Sequence, residues 1–200
     1  TSLILAFEWA NPKTLGPLPV GEKLLASWFQ SVSPRTAGFN TIDIGAMTVP
    51  ALFLTMGLMF IGASPGGTGG GVKTTTFGIT VFALTATVRG ARETVAFRRR
   101  ISDEAIARAF FLSLIGFLAL NLVAGVLLWL EGRDLVHTLF EATSAFGTVG
   151  MSMGHPGTAT SLAAQFSSPG KSLLIGMMLL GRVGPLTVAV AVRSLPSRSA

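Results

Sequence analysis

Uncharged apolar blocks alternate along this chain with short intervals rich in turn residues or in charge. Residues 1–9 read as the last turns of a helix met in mid-course, without the basic flank or cleavage site of a signal peptide. Asn11 to Pro19 is a loop, because its prolines and Gly16 leave neither helix nor strand a continuous ladder. Glu22 to Val32 then carries Leu24, Leu25, Trp28 and Phe29 as an apolar stripe at helical spacing. This segment covers only about 17 Å against a hydrocarbon core of about 30 Å, so it is expected to enter a membrane and turn back. Ala109 to Leu130 is uncharged for 22 residues and predicts one crossing, within a span taken from Ala105 to Leu130. Lys171 to Val192 predicts a last span, with Arg182 near mid-depth. Ile44 to Val88 holds one charge, Lys73, and is twice as long as one span requires. Its middle, Gly62 to Lys73, is too rich in glycine for any helix to survive.

An internal repeat decides how that long block is used. Asp134 to Met151 repeats the opening stretch, with Phe140 opposite Phe29, Ser144 opposite Ser33, and Thr148-Val149-Gly150-Met151 opposite Thr36-Ala37-Gly38-Phe39; the second copy has one more residue before its threonine. If both copies face one side, the chain between them crosses an even number of times. Ala105 to Leu130 supplies one crossing, so Ile44 to Val88 supplies one more, and its glycine-rich middle interrupts a single span inside the membrane. Non-helical backbone at that depth is tolerated only where it is buried in protein or lines water. A Thr-x-Gly segment after a short apolar helix can fold back as an irregular strand whose carbonyls replace a cation's water shell. The negative end of the helix dipole favours the same cation. Thr36, Ala37 and Gly38 with Thr148, Val149 and Gly150 are therefore the candidate cation ligands, the threonine hydroxyls included.

Composition agrees. Half of the residues are apolar, only 12% are charged and the mean hydropathy is +0.63, where a soluble domain has about a quarter charged. The fold class expected is an all-α membrane protein, built of helix, pore-loop, helix repeats with one broken intramembrane helix. A net charge of +6 raises nucleic acid as a partner, but the basic residues cluster at Arg89, Arg92 and Arg98-Arg99-Arg100 beside a span. Such a cluster marks the inner side, so no nucleic-acid partner is expected. On this topology Glu131 to Asp134 lies outside, with Asp134 as the N-cap of the second short helix, and Arg193 and Arg198 lie inside. Cysteine is absent, which removes thiolate chemistry and disulfides. No Ser/His/Asp set or carboxylate pair supports catalysis, and His137 and His155 have no second ligand at helical spacing. The chain is not expected to be an enzyme.

Four segments in order carry a resemblance: Ser33 to Thr41, Gly66 to Thr76, Ser144 to Gly150, and Gly181-Arg182-Val183-Gly184-Pro185-Leu186-Thr187. Together they resemble the Trk/Ktr/HKT superfamily of potassium transporters, and the likeness covers nearly the whole chain. It implies four pore units folded around one pore like fused potassium-channel subunits. This chain holds two: residues 1–103, the third unit from the end of its first helix, and residues 104–200, the complete fourth. It also implies potassium as the transported ion, although a first-unit residue absent here is what separates potassium from sodium preference. The glycine-rich loop becomes a gate of Gly66, Gly67, Thr68, Gly69, Gly70 and Gly71 with Lys73, which restrains the loop or repels cations. The partners implied are the lipid membrane, the missing upstream repeats, a second copy forming a homodimer of complete pores, and a cytoplasmic nucleotide-binding regulatory subunit. That subunit is expected to dock around Arg98 to Asp103 and the C-terminal tail, and the location implied is the inner membrane of a prokaryote, crossed several times. The chain is then either a piece of a longer protein or one half working with a separate chain; the alternative is a non-conducting membrane scaffold that binds a partner.

Three side readings complete the expectations. Gly-rich sequence ending in Lys-Thr resembles a phosphate-binding loop, but Val72 separates Gly71 from Lys73 and both flanks are apolar. Arg182 either satisfies carbonyls at a helix junction or acts as an electrostatic brake beside the loop. Gln30 and Glu141, at matching positions, are expected to brace the two strands by hydrogen bonds, and Asn121 to bond across helices.

Overall fold

The computed structural model describes residues 1–91, 93–154 and 160–184. Among these, helices α1 (Ser2–Glu8), α2 (Val20–Val32), α3 (Val49–Phe60) and α4 (Thr74–Val88) precede a short hairpin, β1 (Val95–Ala96) and β2 (Arg99–Arg100). Helices α5 (Asp103–Glu131), α6 (Leu135–Gly147) and α7 (Ser168–Val183) follow. Local signals explain most boundaries. The Ser102 hydroxyl accepts from the Ala105 N–H ahead of Asp103 and Glu104 in the first turn of α5, and Gly132 ends that helix in a left-handed conformation. Asp134 caps α6 by accepting from the N–H groups of Val136 and His137, as expected. Pro50 and Pro169 stand in the first turns of α3 and α7, where no N–H partner is lost.

The long helix is apolar on the outside. α5 has the length and composition to cross a membrane. It buries Ala109, Gly116, Leu120, Ala124 and Leu127 while Phe110, Phe111, Phe117, Leu122 and Trp129 stand exposed. Large apolar residues turned outward are the reverse of a water-soluble helix and suit lipid, while Ala109, Gly116 and Ala124 let the neighbouring helices approach. Asn121, expected to bond to a neighbouring helix, instead donates from Nδ2 to the Phe117 carbonyl of its own helix at 2.8 Å, because its side chain faces outward.

Residues 61–73 separate α3 from α4 without helix. The Val72 N–H donates to the Phe60 carbonyl at 3.0 Å and the Gly62 N–H to the Val72 carbonyl at 2.9 Å. Ile61 and Val72 thus run side by side in one parallel bridge, and the chain leaves α3 and rejoins α4 at one point. The 12 residues of α3 and 15 of α4 make about 18 and about 22 Å, each too short to cross alone.

α6 is the centre of packing. Phe140, on one side, joins a core with Ala51, Leu52, Met56 and Met59 of α3 and with Val149 and Met151. Ala142, Ala145 and Phe146, on the other, join Leu120, Ala124 and Leu127 of α5 and Leu174 and Met177 of α7. α2 differs sharply from its repeat partner: it buries Lys23, Ser27 and Gln30 and leaves Leu24, Leu25, Trp28 and Val32 exposed.

A second symmetry, unseen in the sequence reading, joins helix ends. Glu8, fully buried at the end of α1, accepts from the Thr48 N–H and Oγ1, both at 2.7 Å, and Thr48 is the N-cap of α3. Glu131, at the end of α5, accepts from the N–H and Oγ of Ser167, the N-cap of α7, at 3.0 and 2.6 Å. Thr48-Val49-Pro50 and Ser167-Ser168-Pro169 are the matching sequence traces. A carboxylate at a helix N-terminus satisfies free N–H groups and the dipole together.

The last helix departs from expectation. α7 starts at Ser168 and ends at Val183, with Gly184 at φ +84° and ψ 141°. An unbroken helix to Val192 is therefore excluded; Pro185, Leu186, Thr187, Arg193 and Arg198 lie outside the described residues, as do Arg92 and His155.

Candidate functional site

Each short helix is followed by the same backbone signature. After α2, Thr36 has φ +72° and Gly38 φ +79°; after α6, Thr148 has φ +49° and Gly150 φ +87°, while Ala37 and Val149 between them are not left-handed. Positive φ is an outlier for a β-branched residue, so two threonines held there mark backbone whose shape is imposed by its surroundings. A uniform strand sends successive carbonyls to opposite sides, whereas alternating handedness turns successive backbone groups to one side. Backward bonds close both turns: the Gly38 N–H donates to the Ser33 carbonyl at 3.1 Å and the Val149 N–H to the Ser144 carbonyl at 2.9 Å. The extra residue of the second copy is absorbed by moving that bond one position ahead of its glycine. The two strands also meet, since a Cβ on Gly38 would stand 2.1 Å from the Val149 carbonyl oxygen.

The glycine-rich segment lies against both threonines. A Cβ on Gly69 would fall 2.5 Å from Thr36 Oγ1, and one on Gly70 2.6 Å from Thr148 Oγ1. The Gly70 N–H donates to Thr148 Oγ1 at 3.0 Å. Lys73 reaches back with Nζ to the Gly69 carbonyl at 2.5 Å, and the Gly71 N–H donates to the Gly181 carbonyl at 3.1 Å. The segment is thereby tied to one strand, to itself and to α7. Gly66, Gly67 and Thr68 form its exposed turn. Arg182, next to Gly181, lines a cavity of about 260 Å³ with Gly71, Lys73, Thr76, Leu112 and Phe146. α7 approaches closely here, since a Cβ on Gly181 would fall 1.8 Å from the Phe146 carbonyl oxygen.

Gln30 and Glu141 part company. The Glu141 carboxylate accepts from Ser152 Oγ. The Gln30 side chain is 0% exposed, and among the described residues neither its oxygen nor its nitrogen has a hydrogen-bond partner. Bracing is present at Glu141 and absent at Gln30, because Asn40, the counterpart of Ser152, turns its amide to the Ile42 carbonyl at 3.1 Å.

Residues 2–200 match the model of the family described as TrkH, cation transport protein. The chain belongs to this family. The Ktr system potassium uptake protein B of Bacillus subtilis is 41% identical over 184 residues, 92% of this chain and 40% of that protein. The potassium/sodium uptake protein NtpJ of Enterococcus hirae is 38% identical over 174 residues, 84% of this chain and 36% of its own length. Among solved structures, the potassium transporter TrkH of Vibrio parahaemolyticus matches with a TM-score of 0.77 at 20% identity, over 98% of this chain and 42% of that one. At that identity the match speaks for the fold. The chain spans about two fifths of the length of the relatives it matches.

Within this TrkH family chain, the residues that sequence reasoning missed are those joined across long separations. Ser152 meets Glu141, Glu8 meets Thr48, and Glu131 meets Ser167. Only the last two pairs left a trace, the repeated Thr/Ser-x-Pro after each loop. His137 places Nδ1 3.0 Å from Asp134 Oδ2, a local contact at the cap of α6.

Proposed function

We propose that this chain supplies two of the carbonyl-lined strands of a monovalent-cation uptake pore, with potassium as its substrate. The observation that carries the reading is the paired Thr-x-Gly backbone, left-handed at Thr36, Gly38, Thr148 and Gly150, each strand following a short helix. Thr36, Ala37, Gly38, Thr148, Val149 and Gly150 replace the water of a dehydrated cation with backbone carbonyls. The C-terminal ends of α2 and α6 add the negative ends of their dipoles. The names of the relatives, potassium uptake and potassium/sodium uptake, support a monovalent cation.

The glycine-rich segment is the gate in this reading. Gly69 and Gly70 close the inner side of the strands, Lys73 holds the segment shut through the Gly69 carbonyl, and Arg182 adds positive charge to the cavity below. The α3 and α4 pair acts as one broken span, and the chain forms two pore units, residues 1–103 and 104–200, of a multi-pass membrane protein without catalysis. Two further units complete the pore, a second copy forms the homodimer, and a cytoplasmic nucleotide-binding subunit moves the gate. Bacteria that cannot take up potassium, producing the full-length protein, are expected to accumulate rubidium, and Arg182→Ala is expected to raise the rate severalfold. Absence of rubidium uptake by the unaltered protein at normal membrane abundance would favour the non-conducting scaffold; an unchanged rate in Arg182→Ala would remove the brake.

A further inference from the structure

The buried carboxylate of Glu141 lies behind the second Thr-x-Gly strand, 5% exposed, and its partner Ser152 belongs to the chain that follows Gly150. Ser152 is the node of this arrangement. Its hydroxyl donates to Glu141 Oε1 and accepts from the N–H groups of Gly154 and Leu162, both at 3.0 Å, which uses its one donor and both lone pairs. One carboxylate on α6 thus fixes Ser152 directly, and residues 154 and 162 through it. The cavity beside it, about 270 Å³, is bounded by Glu141, Ser144, Thr148, Val149, Gly150 and Ser161, so among the described residues that side of the strand is loosely packed. Among the same residues the first copy has no such device, for Gln30 is unpartnered and Asn40 bonds locally.

We infer that Glu141 is a positioning residue for ion discrimination: through Ser152 it holds the Thr148 to Gly150 carbonyls at a fixed spacing, and it does so in one strand and not the other. The inference rests on the proposed pore. A strand held at one width favours one cation radius, and a strand that is not held adjusts its width to ions of different radius. Discrimination between potassium and sodium is accordingly carried unequally by the two strands.

The test uses the full-length protein in bacteria without other potassium uptake, reading rubidium and sodium uptake in the same cells. Glu141→Ala and Ser152→Ala are each expected to lower the rubidium-to-sodium ratio about tenfold, the factor set by losing one hydrogen bond to a charged group. Glu141→Gln, whose amide oxygen still accepts from Ser152, is expected to keep most of the ratio. Ser152→Ala removes a single oxygen and carries the test if Glu141→Ala fails to reach the membrane. Loss of total uptake in proportion to protein amount, with the ratio unchanged in both alanine variants, overturns the clamp and leaves the pore standing. No uptake of either ion by the unaltered protein overturns the pore itself.

Discussion

A threonine at positive φ brings its branched Cβ against its own backbone, and conformations of this kind cost roughly 1–3 kcal/mol each. Thr36 and Thr148 persist there because their surroundings hold them: Gly70 bonds to Thr148 Oγ1, and Gly69 abuts Thr36. The two glycines of the strands share the handedness but not the space. A Cβ on Gly38 would collide with the Val149 carbonyl, whereas one on Gly150 meets nothing within 4 Å. Gly150→Ala is thus expected to cost only the left-handed penalty, roughly 1–2 kcal/mol, and Gly38→Ala distinctly more. Thermal unfolding of the two variants in detergent checks the order, and equal losses would show that the strands do not touch at Gly38. The Thr-x-Gly positions were readable as residues because the repeat singled them out. Their contact with Gly69 and Gly70 was not, since nothing local in a run of glycines says what it leans against.

Among the elements, those fixed by neighbours in sequence were the most legible. α5 and the cap of α6 follow from an uncharged run and from one aspartate before a helical stretch. Asp134 also carries a consequence in pH. Its carboxyl is held below the ordinary range, first by the His137 side chain and then by the His137 and Val136 N–H groups. A depressed carboxyl contributes stability that is present above its unfolded value and lost as pH falls through the lowered folded one. Protection of the Val136 and His137 amides, taken relative to their intrinsic exchange rates, is expected to fall in acid, and in Asp134→Ala to be lost already at neutral pH. An acid response that survives Asp134→Ala would assign it to another group. Helix α7 ends at Val183 although apolar sequence continues past Gly184, and the rest of the expected span lies outside the described residues. Gln30 and Glu141 looked equivalent on their helices, yet their partners come from loops of different chemistry, Asn40 in one copy and Ser152 in the other.

For the whole molecule, the unequal burial of α2 and α6 is the main clue. α6 is enclosed by α3, α5 and α7, while α2 turns Leu24, Leu25, Trp28 and Val32 outward beside a cavity of about 440 Å³ lined by Ile4, Trp28, Arg35, Leu54 and Leu58. The chain covers about two fifths of its relatives, and the proposed further units are the natural cover for this face. With Trp9 and Trp129 replaced by Phe, brominated lipid is expected to quench Trp28 fluorescence in the 200-residue chain. In a protein with the additional length of the relatives it is expected to lose access. Equal quenching in both would place α2 at the lipid boundary and the remaining units elsewhere.

The bond from Gly70 to Thr148 has a thermodynamic meaning for the proposed pore. A cation that draws the Thr148 to Gly150 strand inward alters the acceptor on which the glycine-rich segment rests, so the occupancy of the strand and the position of the segment are linked variables. By reciprocity, whatever factor an occupying ion applies to the opening equilibrium, opening applies to the affinity for that ion. A regulatory subunit that pulls on the segment would then change how tightly the strand binds its ion as well as how often the path is clear.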